Sequence, residues 1–219
     1  MKKNFYIGGF LASKLAGTVS AAIVLNTDWT VNTAIPEGNP VGITAYQTLT
    51  GLNGSPITDV TVDLNISGGY DGGLYGYLTL QDANGNRVTE LLLNLMGTTL
   101  SNPFGSAGAG MNVTLSDSGT ANGSIHNATG VPTGSWQPDS ANTFDGTFGG
   151  LTANGTWTLY LADLTAGGGT STLNSWGLDI SVLSVPESDE IGLLAGAAAL
   201  TLVGSAALLR SRGKHRQAR

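Results

Sequence analysis

The chain has 219 residues, 33 of them Gly and none Cys, with 9 Lys and Arg against 15 Asp and Glu. The absence of Cys excludes disulfides, and the Gly-, Thr-, Asn- and Ser-rich composition, which lacks a collagen period, suits a turn-rich β protein better than a helical one. Three of the cations (Lys2, Lys3, Lys14) precede residue 22 and five follow residue 209, so between 22 and 184 Arg87 alone faces twelve acidic residues. That stretch is long enough for one domain with its own core, and its net charge near −11 repels nucleic acid and acidic polysaccharide.

In chain order, Lys2 and Lys3 precede the apolar run Phe5 to Ala12, and small residues follow at Val19-Ser20-Ala21-Ala22. This pattern predicts a secretory signal peptide over residues 1–21, cleaved after Ala21 or Ala22. If Lys14 closes the charged region instead, Leu15 to Leu25 becomes the apolar stretch and the cut falls later. Asn26 to Pro40 is polar and ends in a Pro36-Glu37-Gly38-Asn39-Pro40 turn cluster, so it is expected as an entry loop or short edge strand.

Ile57 to Ile66 alternates Val60, Val62, Leu64 and Ile66 with Thr61, Asp63 and Asn65, the period of a strand with one wet face. After the glycine-rich turn at 67–73 come a strand at Leu74 to Leu80, an Asn84-Gly85 hairpin and a strand at Val88 to Leu95. Asp82, Asn84 and Asn86 have the spacing of an EF-hand, but Arg87 stands where that loop needs Gly and no Glu closes it. A short strand is expected at Met111 to Leu115, and a long loop at Ser124 to Phe144 with Trp136-Gln137-Pro138 anchoring it. Trp157, Leu159 and Leu161 share one face of a late strand, with Thr158, Tyr160 and Ala162 on the other. After the Gly167-Gly168-Gly169 turn, Trp176, Leu178, Ile180 and Val182 repeat the pattern. Two inward Trp on two late strands predict a sandwich core built on Trp157, Leu159, Leu161, Trp176, Leu178 and Ile180.

Catalytic chemistry has little to build on. His126 is the one His between 22 and 184 and lies in a polar loop, where it is expected to be solvated; no G-x-S-x-G is present, and a zinc site needs more His or Cys. The expectation is a protein that is not an enzyme. Asp59, Asp71, Asp82 and Asp163 lie near strand ends and are candidate calcium ligands, each with the alternative of bonding its own turn. Asp163 shares the parity of Trp157, where an unpaired carboxylate is costly. Asn65, Asn112, Asn122, Asn127 and Asn154 each open an Asn-x-Ser/Thr tripeptide, read here as composition.

The C-terminal 35 residues have three parts: Val185-Pro186-Glu187-Ser188, then an uncharged run from Ile191 to Leu209, then the basic residues Arg210, Arg212, Lys214, Arg216 and Arg219. As a helix the uncharged run reaches roughly 28 Å, close to a bilayer core, and the basic end favours the cytoplasmic side. The run is rich in Ala and Gly, weak for a permanent anchor. This order resembles the PEP-CTERM sorting signal (185–219), with Ser188 where that family has a second Pro. The resemblance implies recognition by exosortase in the inner membrane of a Gram-negative bacterium, and release to the cell surface or an exopolysaccharide-rich biofilm matrix.

Between the two ends, Phe148-Gly149-Gly150, the run Gly155 to Asp163, and Leu173-Asn174-Ser175-Trp176-Gly177-Leu178-Asp179-Ile180 resemble the end of a proprotein convertase P domain. That family has G-x-W-x-L-x-hydrophobic-x-D, a glycine-rich turn and L-x-x-W-x-L-x-I. The resemblance implies a jelly-roll-like β-sandwich over 22–184, with the family's Gly-Asp-Leu replaced by Gly72-Gly73-Leu74. The subtilisin-like protease it accompanies in convertases has no counterpart here. The expected function is an exported surface or matrix component that binds or assembles. The rivals are a calcium-dependent carbohydrate-binding or adhesion module, an uncharacterised hydrolase, and a permanent single-pass membrane protein.

Overall fold

The computed structural model describes residues 21–52 and 55–183. The expected signal peptide (apart from its last residue), the Val185–Ser188 element, the uncharged run 191–209 and the basic tail lie outside them. Among the described residues no helix is long and apolar enough to cross a membrane.

Among the described residues nine strands form two sheets. They are β1 (Ala21–Ile35), β2 (Asn39–Leu49), β3 (Ile57–Ser67), β4 (Leu74–Gln81), β5 (Arg87–Asn94), β6 (Gly110–Leu115), β7 (Thr133–Trp136), β8 (Gly155–Asp163) and β9 (Ser171–Leu183). One sheet has the order β1-β9-β3-β6-β7 and the other β2-β8-β4-β5. All pairings are antiparallel except β6 with β7. The inner faces bury one apolar core, including Val60, Val62 and Leu64 of β3 and Leu74, Leu78 and Leu80 of β4. Trp157, Leu159 and Leu161 of β8 and Trp176, Leu178 and Ile180 of β9 are all buried in it.

Three stretches differ from the sequence reading. Of the two readings of Asn26 to Pro40, the edge strand holds and the loop does not, but the strand is longer than expected: most of the stretch belongs to β1, a 15-residue edge strand running antiparallel to β9. Thr27, Trp29 and Val31 are half-buried and alternate with exposed residues, a period hidden by the polar composition. A register shift between Thr30 and Thr33 accommodates Asn32 at a φ of 50°, the left-handed region that Asn tolerates better than most residues. Ala21 and Ala22, the expected cleavage residues, already pair with Leu183 and Val182 within β1.

The second difference is Ser124 to Phe144. It contains the short strand β7, and Trp136 is half-buried against the core with its indole N–H donated to the Thr133 carbonyl at 2.9 Å. The third is a helix, α1 (Phe144–Phe148), where no helical period is visible. Five residues are too few to show one, and packing holds the turn: Phe144 and Phe148 are fully buried, and Phe148 lies 5.1 Å from Trp157 between ring centroids. Thr143 caps it by accepting the Gly146 N–H.

Trp157 donates its indole N–H to Ala153 O at 3.0 Å, whereas Trp176 packs against Trp29 with centroids 4.9 Å apart. Either Trp truncated to Ala leaves a large cavity between the sheets. The expected loss is about 3–5 kcal/mol for Trp157→Ala or Trp176→Ala. Denaturant melts check this; midpoints unchanged in both variants would contradict the packing described.

Candidate functional site

The four acids picked out as calcium ligands do not converge. Among the described residues no group of three or more His, Cys, Asp or Glu is placed to hold a metal ion. Asp82 is spent on its hairpin: Oδ1 accepts the Asn84 and Asn86 N–H groups at 2.9 Å and Oδ2 the Asn86 side-chain amide at 2.8 Å. Those bonds, led by the one from the Asn86 side chain, hold its carboxyl below the usual range. Asp59, in β3, is pushed up by burial and by the charge of Asp117. Asp117 in turn accepts the Phe144 and Asp145 N–H groups and so braces the start of α1.

Asp71 and Asp163 are buried. Asp71 opens a single 3-10 turn before β4, with no exposed surface; Oδ1 accepts the Gly110 N–H at 2.9 Å and Oδ2 has no hydrogen-bond partner. Oδ2 faces Gly108, where any Cβ would clash with it and with the Gly130 carbonyl oxygen. Two oxygens therefore look into one small space, an arrangement that a proton on Asp71 relieves. Burial pushes this carboxyl up to about 7, against the Gly110 N–H that lowers it. Asp163, at the end of β8, accepts the Thr165 N–H at 3.0 Å through Oδ1 and leaves Oδ2 unpartnered. Burial raises its carboxyl, the Thr165 N–H opposes the rise, and the Glu37 charge adds to it.

Sequence reasoning passed over two polar features and misplaced a third. Glu90, within β5, is buried, accepts the Thr147 hydroxyl from α1, and leaves Oε1 unpartnered. Glu37 reaches the β8–β9 turn, where one oxygen accepts the Gly167 and Gly169 N–H groups at 2.6 and 2.8 Å. His126, expected in solvent, is instead bonded on both ring nitrogens: Nδ1 lies 2.8 Å from Asp139 and Nε2 3.1 Å from the Thr98 carbonyl oxygen. Burial lowers its pKa, but the Asp139 hydrogen bond and charge outweigh this and raise it above the usual value. The ring thus ties together three loops that carry little regular structure.

The two outer faces of the sandwich differ in chemistry. The β1-β9-β3 side carries Asp28, Asp63 and Asp179; Asp179 is pushed up by burial and then by the charges of Asp63, Asp28 and Asp59. The β2-β8-β4-β5 side carries threonines and tyrosines around a groove of ≈ 400 Å³. Tyr77 and Tyr160 stack there with centroids 4.6 Å apart and planes 18° from parallel, and Tyr75 meets Tyr77 edge-on at 6.2 Å. At the far end Arg87 donates through Nε and Nη2 to Gln81 Oε1 at 3.0 and 2.8 Å. The signal for this face was available in the alternation of Tyr75, Tyr77, Thr79 and Gln81, within and just beyond the strand expected at Leu74 to Leu80.

The sequence matches no family profile and no curated protein. Among solved structures the chain is similar to the serine protease of Aeromonas sobria in complex with its chaperone ORF2, at 14% identity and a TM-score of 0.45, covering 76% of this chain and 28% of that one. It is also similar to the same protease alone, at 14% identity and a TM-score of 0.43, covering 74% and 27%. The chain thus spans under a third of the length of these neighbours.

The Asp71 geometry has a pH consequence. Its folded-state pKa lies above that of the unfolded chain, so its proton stabilises the fold fully below the unfolded pKa, and this contribution is lost as pH rises through about 7. Asp71→Asn keeps an acceptor for Gly110 and supplies a donor toward Gly130. The variant is expected to be more stable than the parent at pH 8, by on the order of 2–4 kcal/mol, with the advantage shrinking below pH 7 and lost only as pH falls to about 4, the unfolded carboxyl's own range. Urea midpoints across pH measure it; parallel profiles for the two proteins would contradict it.

Proposed function

We propose that the chain is an exported, non-catalytic binding component of a bacterial cell surface or extracellular matrix, delivered by a PEP-CTERM-type tail that an exosortase removes. Its domain is read as a P-domain-like jelly roll, supported by the motifs of the late strands: Gly155–Asp163 is β8 and Leu173–Ile180 lies within β9, with the glycine-rich turn between them. The carrying observation is the order of the last 35 residues, a Pro-Glu element, an uncharged 19-residue run and five cations.

The Lys/Arg cluster halts translocation and keeps the end of the chain in the cytoplasm. The run before it holds Pro186-Glu187 at the outer face of the membrane. Pro186 removes a backbone donor and disfavours helix at Val185, so the segment stays extended for a peptidase cleft. Because β9 ends at Leu183, the Pro-Glu element follows the domain within a few residues. The apolar run is too rich in Gly and Ala to favour permanent residence.

Mass spectrometry of the released protein is expected to find a C-terminus between about Val185 and Glu190, with no peptide from Ile191 onward. Deleting the exosortase leaves a longer, membrane-bound form, and Pro186→Ala or Glu187→Ala slows conversion more than Ser188→Ala. An intact chain through Arg219 as the stable form beside a working exosortase would establish the permanent anchor instead.

A further inference from the structure

We propose that the outer face of the β2-β8-β4-β5 sheet is a binding site for neutral polysaccharide, with Tyr77 and Tyr160 forming one wall, threonines the floor, and Gln81 with Arg87 the opposite wall. This names the ligand class of the binding role proposed above and rests on that reading.

Strand register builds the site. Tyr160 lies opposite Tyr77 across β8 and β4, while Thr158, Thr79 and Thr89 form the next row across β8, β4 and β5. Thr156, Gln81 and Arg87 form the row beyond it. Neighbouring strands are about 4.8 Å apart, so the threonine row spans about 10 Å; Tyr77 and Gln81 are four residues apart along β4, about 13 Å. The result is a trough of sugar-ring dimensions with its walls on different rows of the same sheet.

The chemistry of the trough is that of a saccharide partner. A pyranose has a C–H-rich face that packs on an aromatic ring and a rim of hydroxyls that donate and accept hydrogen bonds. Tyrosine offers rigid, amphipathic contact area for the first, and threonine hydroxyls, which both donate and accept, suit the second. The site is also set before any ligand arrives. Tyr160 donates its hydroxyl to the Pro40 carbonyl, Tyr77 stacks on Tyr160, Thr79 and Thr89 hydroxyls lie 2.9 Å apart, and Arg87 is forked onto Gln81. Ordering these groups in advance lowers the entropic cost of binding.

Charge selects which saccharide. No carboxylate lines this groove, whereas Asp28 and Asp63 line a groove on the opposite face. The one arginine among the described residues has two of its nitrogens engaged by Gln81, so it serves as a hydrogen-bonding wall more than as a counter-ion. The domain's large negative charge repels an anionic chain before contact. An uncharged trough on an acidic molecule fits an uncharged chain.

The test is affinity electrophoresis of the full chain, kept soluble with a neutral detergent, in native gels containing dextran, mixed-linkage β-glucan or galactomannan, with polygalacturonate as the anionic comparison. At least one neutral polymer is expected to retard the protein. Tyr77→Ala and Thr158→Val should weaken that retardation about tenfold, while Tyr77→Phe, which keeps the ring, and Asp63→Asn, on the opposite face, should not. Thr158→Val preserves shape and strand preference, so its effect does not depend on whether Tyr77→Ala folds. The proposal is overturned if no neutral polymer retards the protein, if polygalacturonate alone does, or if Tyr77→Ala and Thr158→Val both migrate as the parent does. Polymer binding and tail cleavage are scored separately. A cleaved protein that ignores every neutral polymer overturns the site and leaves the sorting reading standing; a retarded protein with an uncleaved tail does the reverse.

Discussion

Strand β9 is hydrogen-bonded along both edges, to β1 on one side and β3 on the other, and the rest of the sandwich depends on it. It brings the chain's first and last described strands together and drives Trp176, Leu178 and Ile180 into the core. With no Cys to cross-link the chain, nothing covalent replaces that burial. The layer facing it is β8, whose Trp157 meets Phe148 of the short helix, so the two tryptophans and one helical turn close the interior from both sheets.

A domain with twelve acids and one arginine cannot settle its carboxylates by ion pairing. The structure uses backbone N–H groups instead. Asp71 takes Gly110, Asp163 takes Thr165, Glu37 takes Gly167 and Gly169, Asp117 takes Phe144 and Asp145, and Asp82 takes Asn84 and Asn86. Each of these bonds also fixes a turn or a helix start, so the acids act as braces between strands. Where the backbone supplies one donor to a wholly buried carboxylate, as at Asp71, a second oxygen is left over and burial favours the protonated form.

The same scarcity of cations divides the surface. Asp28, Asp63 and Asp179 fall on the outer face of the β1-β9-β3 side, and the opposite sheet is left with hydroxyls and aromatic rings. One face concentrates negative charge that repels like-charged polymers; the other is the one proposed above to hold an uncharged ligand. The His126–Asp139 contact lies away from both, among the loops between β5 and α1, where it reinforces the isolated parallel bridge between Ser124 and Gln137.

Where a side chain's surroundings lie on its own strand, the sequence by itself was enough. The alternation in β3, β8 and β9 identified the strands and their buried residues, because a period of two decides which side chains share a face. The Asn84-Gly85 hairpin was legible for the same local reason, since its turn residues set its geometry. Tertiary structure decided everything that depends on a distant partner. β1 is a long strand because β9 offers it an edge, although its polar residues leave a loop and a short edge strand both open. α1 holds its turn because Phe144 and Phe148 find the core, and His126 is bound because Asp139 and Thr98 arrive from other loops. Tyr160, Tyr77, Thr158, Thr79 and Thr89 become one surface only through the register of β8 with β4 and of β4 with β5. Register is set by packing between strands far apart in the chain, and a shift by one residue would turn those side chains inward.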